Sequence, residues 1–134
     1  MRKFMKKYML MFGVIIFITS IAIISLGGGK SKTIKGGVLS INDIQADPSA
    51  YKGTITIIGV VAVFSKRDPK TFAIIDTSEA KLCKTTGCAR FYLPVSYEGT
   101  VPKVWDEVNV TGSFADGGKL FVATKVDVLR HLKF

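Results

Sequence analysis

Thr54-Ile55-Thr56-Ile57-Ile58-Gly59-Val60-Val61-Ala62-Val63 is a long apolar run, rich in β-branched residues, with a single glycine at its centre. Isoleucine, valine and threonine are stiff at χ1 and pack well on a pleated surface, so the run reads as a β-strand. A glycine inside a strand adds no side chain to the sheet and marks a bulge or a sharp bend. A small barrel needs such a bend in its first strand, because the sheet must curl round to meet its own edge.

Turn chemistry and further strands follow in order. Lys66-Arg67-Asp68-Pro69 is a turn and Thr71–Asp76 the second strand. Phe91–Val95 comes after an excursion, then Val108–Phe114, and Ala115-Asp116-Gly117-Gly118 has the composition of a hairpin turn. Leu120–Leu129 is the last strand, with Val122, Thr124, Val126 and Val128 alternating against Phe121, Ala123, Lys125 and Asp127. Before the first strand, Val38-Leu39 leads into Ser40-Ile41-Asn42-Asp43-Ile44. This segment reads as a short helix with Ser40 as N-cap and Asp43 three places on, ended by Asp47-Pro48. Five strands, a glycine bend in the first and an irregular link between the third and fourth predict an all-β fold, a five-stranded OB-type barrel with a short helix before the first strand. Another small antiparallel barrel or a sandwich fits the same pattern.

The chain has 134 residues, 48% of them hydrophobic, and a formal net charge of +9. That charge is unevenly spread. Residues 1–37 hold seven basic residues and no acid, whereas residues 38–134 hold 12 basic against 10 acidic, a balance of only +2. The basicity belongs to the N-terminal tail. Tyr8 to Leu26 are 19 residues without a charge, roughly 28 Å as a helix and about the hydrocarbon thickness of a bilayer. The run is longer than a cleaved signal's apolar region, and Ser25-Leu26-Gly27 is a poor cleavage site, so an uncleaved anchor is expected. Arg2, Lys3, Lys6 and Lys7 cluster tightly before the span, while Lys30, Lys32 and Lys35 follow it after three glycines. The positive-inside rule then puts residues 1–7 in the cytoplasm as a basic tail, and 8–26 across the cell (inner) membrane as a single-pass anchor. Residues 27–37 become a flexible linker, and 38–134 an extracytoplasmic domain, periplasmic where the cell has a periplasm.

Cys83 and Cys88 flank Lys84-Thr85-Thr86-Gly87, a loop of hairpin composition. In an oxidising compartment the pair reads as a cross-strand disulfide closing a very short loop, a staple of about 2 kcal/mol. Redox and metal uses are the alternatives. A Cys-x-x-Cys motif has two intervening residues and not four, and a closed zinc site needs four ligands, whereas the chain has one histidine besides these thiols.

Val95-Ser96-Tyr97-Glu98-Gly99-Thr100-Val101-Pro102-Lys103-Val104-Trp105-Asp106-Glu107 resembles the V-x-Y-x-G-x-x-P-x-x-F-x-E segment of the CcmE-type haem chaperones of cytochrome c maturation, with Trp105 where that family has phenylalanine. Val108–Gly112 is similar to its fourth strand, and Gly118-Lys119-Leu120-Phe121-Val122-Ala123 to the start of its last. Val128-Leu129-Arg130-His131 resembles the V-L-A-K-H that carries its haem-binding histidine, one residue shorter. Upstream, the anchor, the short helix and the Tyr51–Val61 strand occur in the same order. The resemblance implies a membrane-anchored OB domain that takes haem from a membrane partner and binds a vinyl group covalently through the histidine. It then passes the haem on to cytochrome c maturation components. His131 is then the haem-binding residue, with Phe121 or Phe134 as candidates for an apolar platform. The family's H-x-x-x-Y tyrosine has no counterpart in this sequence, which runs to Phe134. Taken alone, His131 is also an ordinary exposed residue beyond a strand, and Trp105 and Tyr97 read as packing residues.

Three readings follow. The first is a haem carrier, which is not an enzyme. The second is an OB docking or accessory subunit of a membrane complex that has lost haem. The third is single-strand nucleic-acid binding, which needs a positively charged groove with stacking aromatics, and the domain balance of +2 and the extracytoplasmic address oppose it. No triad, carboxylate pair or phosphate loop is present to support catalysis. Gly27-Gly28-Gly29-Lys30 lacks the spacing of a P-loop.

Overall fold

The structure, a computed structural model, describes residues 37–134. The expected cytoplasmic tail (1–7), membrane span (8–26) and nearly all of the linker (27–37) lie outside the described residues. Among the described residues no helix is long and apolar enough to cross a membrane.

Six strands and two short helices follow one another: β1 (Val38–Ser40), α1 (Ile41–Ile44), β2 (Ile55–Phe64), β3 (Thr71–Ile75), α2 (Thr77–Cys83), β4 (Leu93–Tyr97), β5 (Asp106–Ala115) and β6 (Leu120–His131). The ladders β2–β3, β3–β4, β4–β6, β6–β5 and β5–β2 form a closed circuit, with β4–β6 parallel and the others antiparallel. That connectivity is the one an OB-type fold requires. The sixth strand was not expected. Val38-Leu39, read as the approach to the helix, instead pairs in parallel with Thr56-Ile57.

The glycine in β2 acts through its neighbours. Thr56–Ile58 pair with both β1 and β5, and Val60 pairs with both β3 and β5, so β1 and β3 lie in succession along one edge of β2. Gly59 sits between them, where a Cβ would meet the Ile75 carbonyl oxygen at 2.9 Å. The bulge itself falls at Ala62, between the pairs Val61↔Ile74 and Val63↔Ala73. It turns Phe64 onto the interior while Val63 is left 51% exposed. The interior is filled by Ile55, Ile57, Phe72, Leu93, Val110 and Phe121 among others.

The last strand alternates less simply than its sequence reads. Phe121 and Ala123 point into the core, then a bulge at Thr124 resets the phase so that Val126 packs inward. A second bulge falls at Leu129. β5 approaches β6 tightly at Gly112, where a Cβ would lie 2.0 Å from the Val122 carbonyl oxygen.

The helix at 41–44 forms as its caps require. The Ser40 hydroxyl accepts from the Asp43 amide at 3.2 Å, and the Asp43 carboxylate accepts from the Ser40 amide at 2.9 Å. The second helix corrects two expectations. Asp76 ends no strand but caps α2, accepting from the Ser78 amide at 2.9 Å and from the Asn42 amide at 3.1 Å, which ties the two helices together. Cys83 and Cys88 are disulfide-bonded as expected, but the bridge staples the C-terminal end of α2 to the following loop rather than two strands. Lys84, in the left-handed conformation at φ 54°, ends the helix.

Gly112→Ala sets a Cβ against backbone that cannot step aside, and the expected loss is about 1–3 kcal/mol. Gly87→Ala, where the nearest atom is Thr85 Oγ1 at 3.9 Å, is the control. Urea unfolding should show a lower midpoint for the first variant and an unchanged one for the second, and equal midpoints would refute the tight approach.

Candidate functional site

The segment that resembles the family motif builds the link from β4 to β5. Tyr97 lies over Gly99, where a Cβ would come within 2.4 Å of its ring, and Pro102 is buried. The Lys103 amide donates to Asp106 Oδ2 at 2.8 Å, and the Asp106 amide donates back to the Lys103 carbonyl at 3.0 Å. Trp105, inside this turn, takes φ 74°. A bulky residue in the left-handed region costs on the order of 1–3 kcal/mol and persists only where its surroundings hold it. Here the Trp105 amide donates to the Val61 carbonyl and its own carbonyl accepts from the Leu132 amide, both at 2.9 Å. The motif residues read as packing, Tyr97 and Trp105, do pack against buried clusters.

This link delivers Asp106 and Glu107 to the start of β5, opposite the end of β6. The bulge at Leu129 sets the final register, so Glu107 pairs with Arg130 and Asp106 with His131. The V-L-R-H run is one residue short of the family pattern, and the bulge resets the alternation just before His131. His131 Nδ1 lies 2.8 Å from Asp106 Oδ1, with the imidazole 47% exposed and the carboxylate 10% exposed. A carboxylate can only accept here, so Nδ1 donates to it, and Nε2 is the ring nitrogen left for a ligand. Phe134 meets Trp105 edge-on at 5.1 Å between ring centroids and stays 57% exposed.

Of the two platform candidates, only Phe134 is accessible. Phe121 is fully buried in the core, edge-on to Phe114, and cannot face a ligand. An apolar cavity of about 170 Å³ lies between β2 and β3, lined by Val63, Phe64 and Phe72 among others. It includes neither His131 nor Asp106 and falls below the roughly 300–1,000 Å³ of ordinary small-molecule sites. The His131 imidazole itself is about half open to solvent. Among the described residues no group of three or more His, Cys, Asp or Glu side chains could hold a metal ion.

Glu107, which sequence reading took only as a motif position, is a buried carboxylate. It pairs with Arg130 and lies 4.0 Å from Lys81 Nζ on α2. Burial pushes its carboxyl upward, but the Arg130 guanidinium and the Lys81 ammonium outweigh this and hold it below its ordinary value of 4.5. A carboxyl lowered in the folded state contributes stability that is present above its unfolded value and lost as pH falls through the folded one. Stability should therefore decline as pH drops below about 4.5, and Glu107→Gln should flatten that decline in acid titrations followed by circular dichroism. Arg130→Ala leaves the carboxylate with Lys81 alone. Its urea midpoint should fall, by less than for a fully buried pair because Arg130 is half exposed.

No protein-family model and no curated protein matches the chain. Among solved structures, it is similar to the telomere capping protein Ten1 from Saccharomyces pombe, with a TM-score of 0.44 and 13% identity over 70% of this chain and 81% of that one. The S. pombe Stn1–Ten1 complex matches with a TM-score of 0.44 and 12% identity, over 74% of this chain and 81% of that one. The OB-fold domain of the haem chaperone CcmE from Desulfovibrio vulgaris matches at 25% identity and a TM-score of 0.41, over 60% of this chain and 90% of that one. None of the three reaches a TM-score of 0.5, and the OB-type assignment rests on the strand pairings.

Proposed function

We propose that this domain is a haem carrier of the CcmE type that presents one imidazole, His131, on an open surface. The observation that carries the proposal is the contact from His131 Nδ1 to Asp106 Oδ1 at 2.8 Å, which fixes the ring and leaves Nε2 for the ligand. Half-exposure of the imidazole suits a carrier, since cargo that must be handed on cannot be enclosed. Phe134, propped against Trp105, supplies an apolar edge for a porphyrin, and the strain at Trp105 falls where a functional site would store it. In this reading the domain is extracytoplasmic, anchored through residues 8–26. It binds and transfers without turnover, and its partners are membrane proteins of cytochrome c maturation.

A second reading, a docking or accessory OB subunit without haem, is favoured by the burial of Phe121 and by the size of the apolar cavity, which is too small for a porphyrin. The test uses the full-length protein in detergent, supplied with haem and followed by absorbance and by haem staining on a denaturing gel. The carrier reading expects a haem spectrum that His131→Ala abolishes and that Asp106→Asn weakens about tenfold in affinity, as loss of a ligand's supporting carboxylate does. Wild-type protein that takes up no haem overturns it, and a protein partner co-purifying in its absence supports the docking reading.

A further inference from the structure

We propose that the Cys83–Cys88 disulfide is a thiol–disulfide exchange site, open to a dithiol reductant, whose state is transmitted to Trp105 and from there to the His131 surface. Both cysteines are exposed, and Leu82 beside them is 84% exposed, so an attacking thiolate has free access. Exposed disulfides are the labile ones. One thiolate of the dithiol attacks Sγ of one cysteine, and the S–S bond breaks. The other cysteine leaves as a thiolate and takes a proton. The second thiol of the reductant then displaces the first cysteine and closes its own disulfide. The protein gains two electrons and two protons, and the dithiol loses them.

The bridge is wired to the site by contacts on the outer face of β2. Inside the closed loop, the Thr86 carbonyl accepts the Tyr92 hydroxyl at 2.7 Å. Tyr92 and Ala89 pack with Ala80, Val60 and Ala62 in a small second core that also takes in Trp105 and Leu132. Trp105 accepts the Leu132 amide, meets Phe134, and directly precedes the Asp106 that holds His131. Opening the bridge leaves α2 clipped beyond it, because the Arg90 amide donates to Glu79 at 3.1 Å and their side chains pair at 3.4 Å. The consequence is a local loosening of residues 84–89 with the fold intact. The inference does not depend on which ligand the imidazole takes.

The chain carries its own reporters, one tryptophan and one histidine. The full-length protein in detergent is treated with dithiothreitol under native conditions, and thiols are trapped by alkylation and counted by mass. Expected are complete reduction with unchanged far-UV circular dichroism, a red shift of Trp105 emission, and faster modification of His131 by diethyl pyrocarbonate. The double variant Cys83→Ser, Cys88→Ser should reproduce both signals without reductant. Tyr92→Phe, which removes the bond to Thr86, should shrink the shift caused by reduction. A bridge that resists dithiothreitol until global unfolding overturns the proposal. So does full reduction with Trp105 emission and His131 modification unchanged. A failed haem titration would leave these readouts untouched, so the two proposals fail separately.

Discussion

A ten-residue strand hydrogen-bonded along both edges governs this domain. β2 must carry β5 on one side and β3 on the other for the circuit of ladders to close, and β1 precedes β3 on that second edge. The change of partner is possible because Gly59 places no Cβ against the Ile75 carbonyl. Around it β2 has both faces in use, by the ordinary alternation of a strand. Ile57 and Val61 fill the interior, while Val60 and Ala62 take the small outer core under α2. Closure and the outer core are thus consequences of one strand's geometry.

The outer core connects the rest. It seats α2 through Ala80, receives the loop after the disulfide through Ala89 and Tyr92, and is completed by Trp105 and Leu132 from the two strand ends that carry the candidate site. Across those ends, two adjacent acids of β5 face two adjacent cationic or titratable residues of β6. Glu107 is spent on structure, pinning Arg130 and drawing Lys81 from α2. Asp106 orients His131 and leaves the ring half exposed. Two neighbouring carboxylates have different uses because alternate residues of a strand face opposite sides.

Much of this was legible in the residues. The β-branched run with its glycine, the Asp116-Gly117-Gly118 turn and the Ser40/Asp43 capping box each act through local chemistry, and each stands where reading placed it. Helix α2 was missed, although Asp76 followed three places on by Glu79 is the same N-terminal signature that identified α1. The partner of His131 could not be read. Counting back from the turn, where Ala115 pairs with Leu120, places Leu129 opposite Asp106. Only the bulges at Thr124 and Leu129 bring His131 there. Bulges answer to how two strands fit over the core, and no residue type announces them here. Phe121, a reasonable platform from its place in the last strand, lies before both bulges and points into the core, where it pairs with Phe114.

By itself the sequence determined the β-rich class, the order of the strands, the short capped helix and the pairing of the two cysteines. These follow from side-chain shape, turn preference and spacing along the chain. It also confined the net charge to the N-terminal tail and left a nearly neutral domain. Tertiary structure alone decided that β2 serves both sides of the ring and that the disulfide sits at a helix end beside the second core. It alone brought Asp106 to hold His131. These depend on register and on close approach between segments distant in sequence, and one residue of slip moves a side chain to the other face.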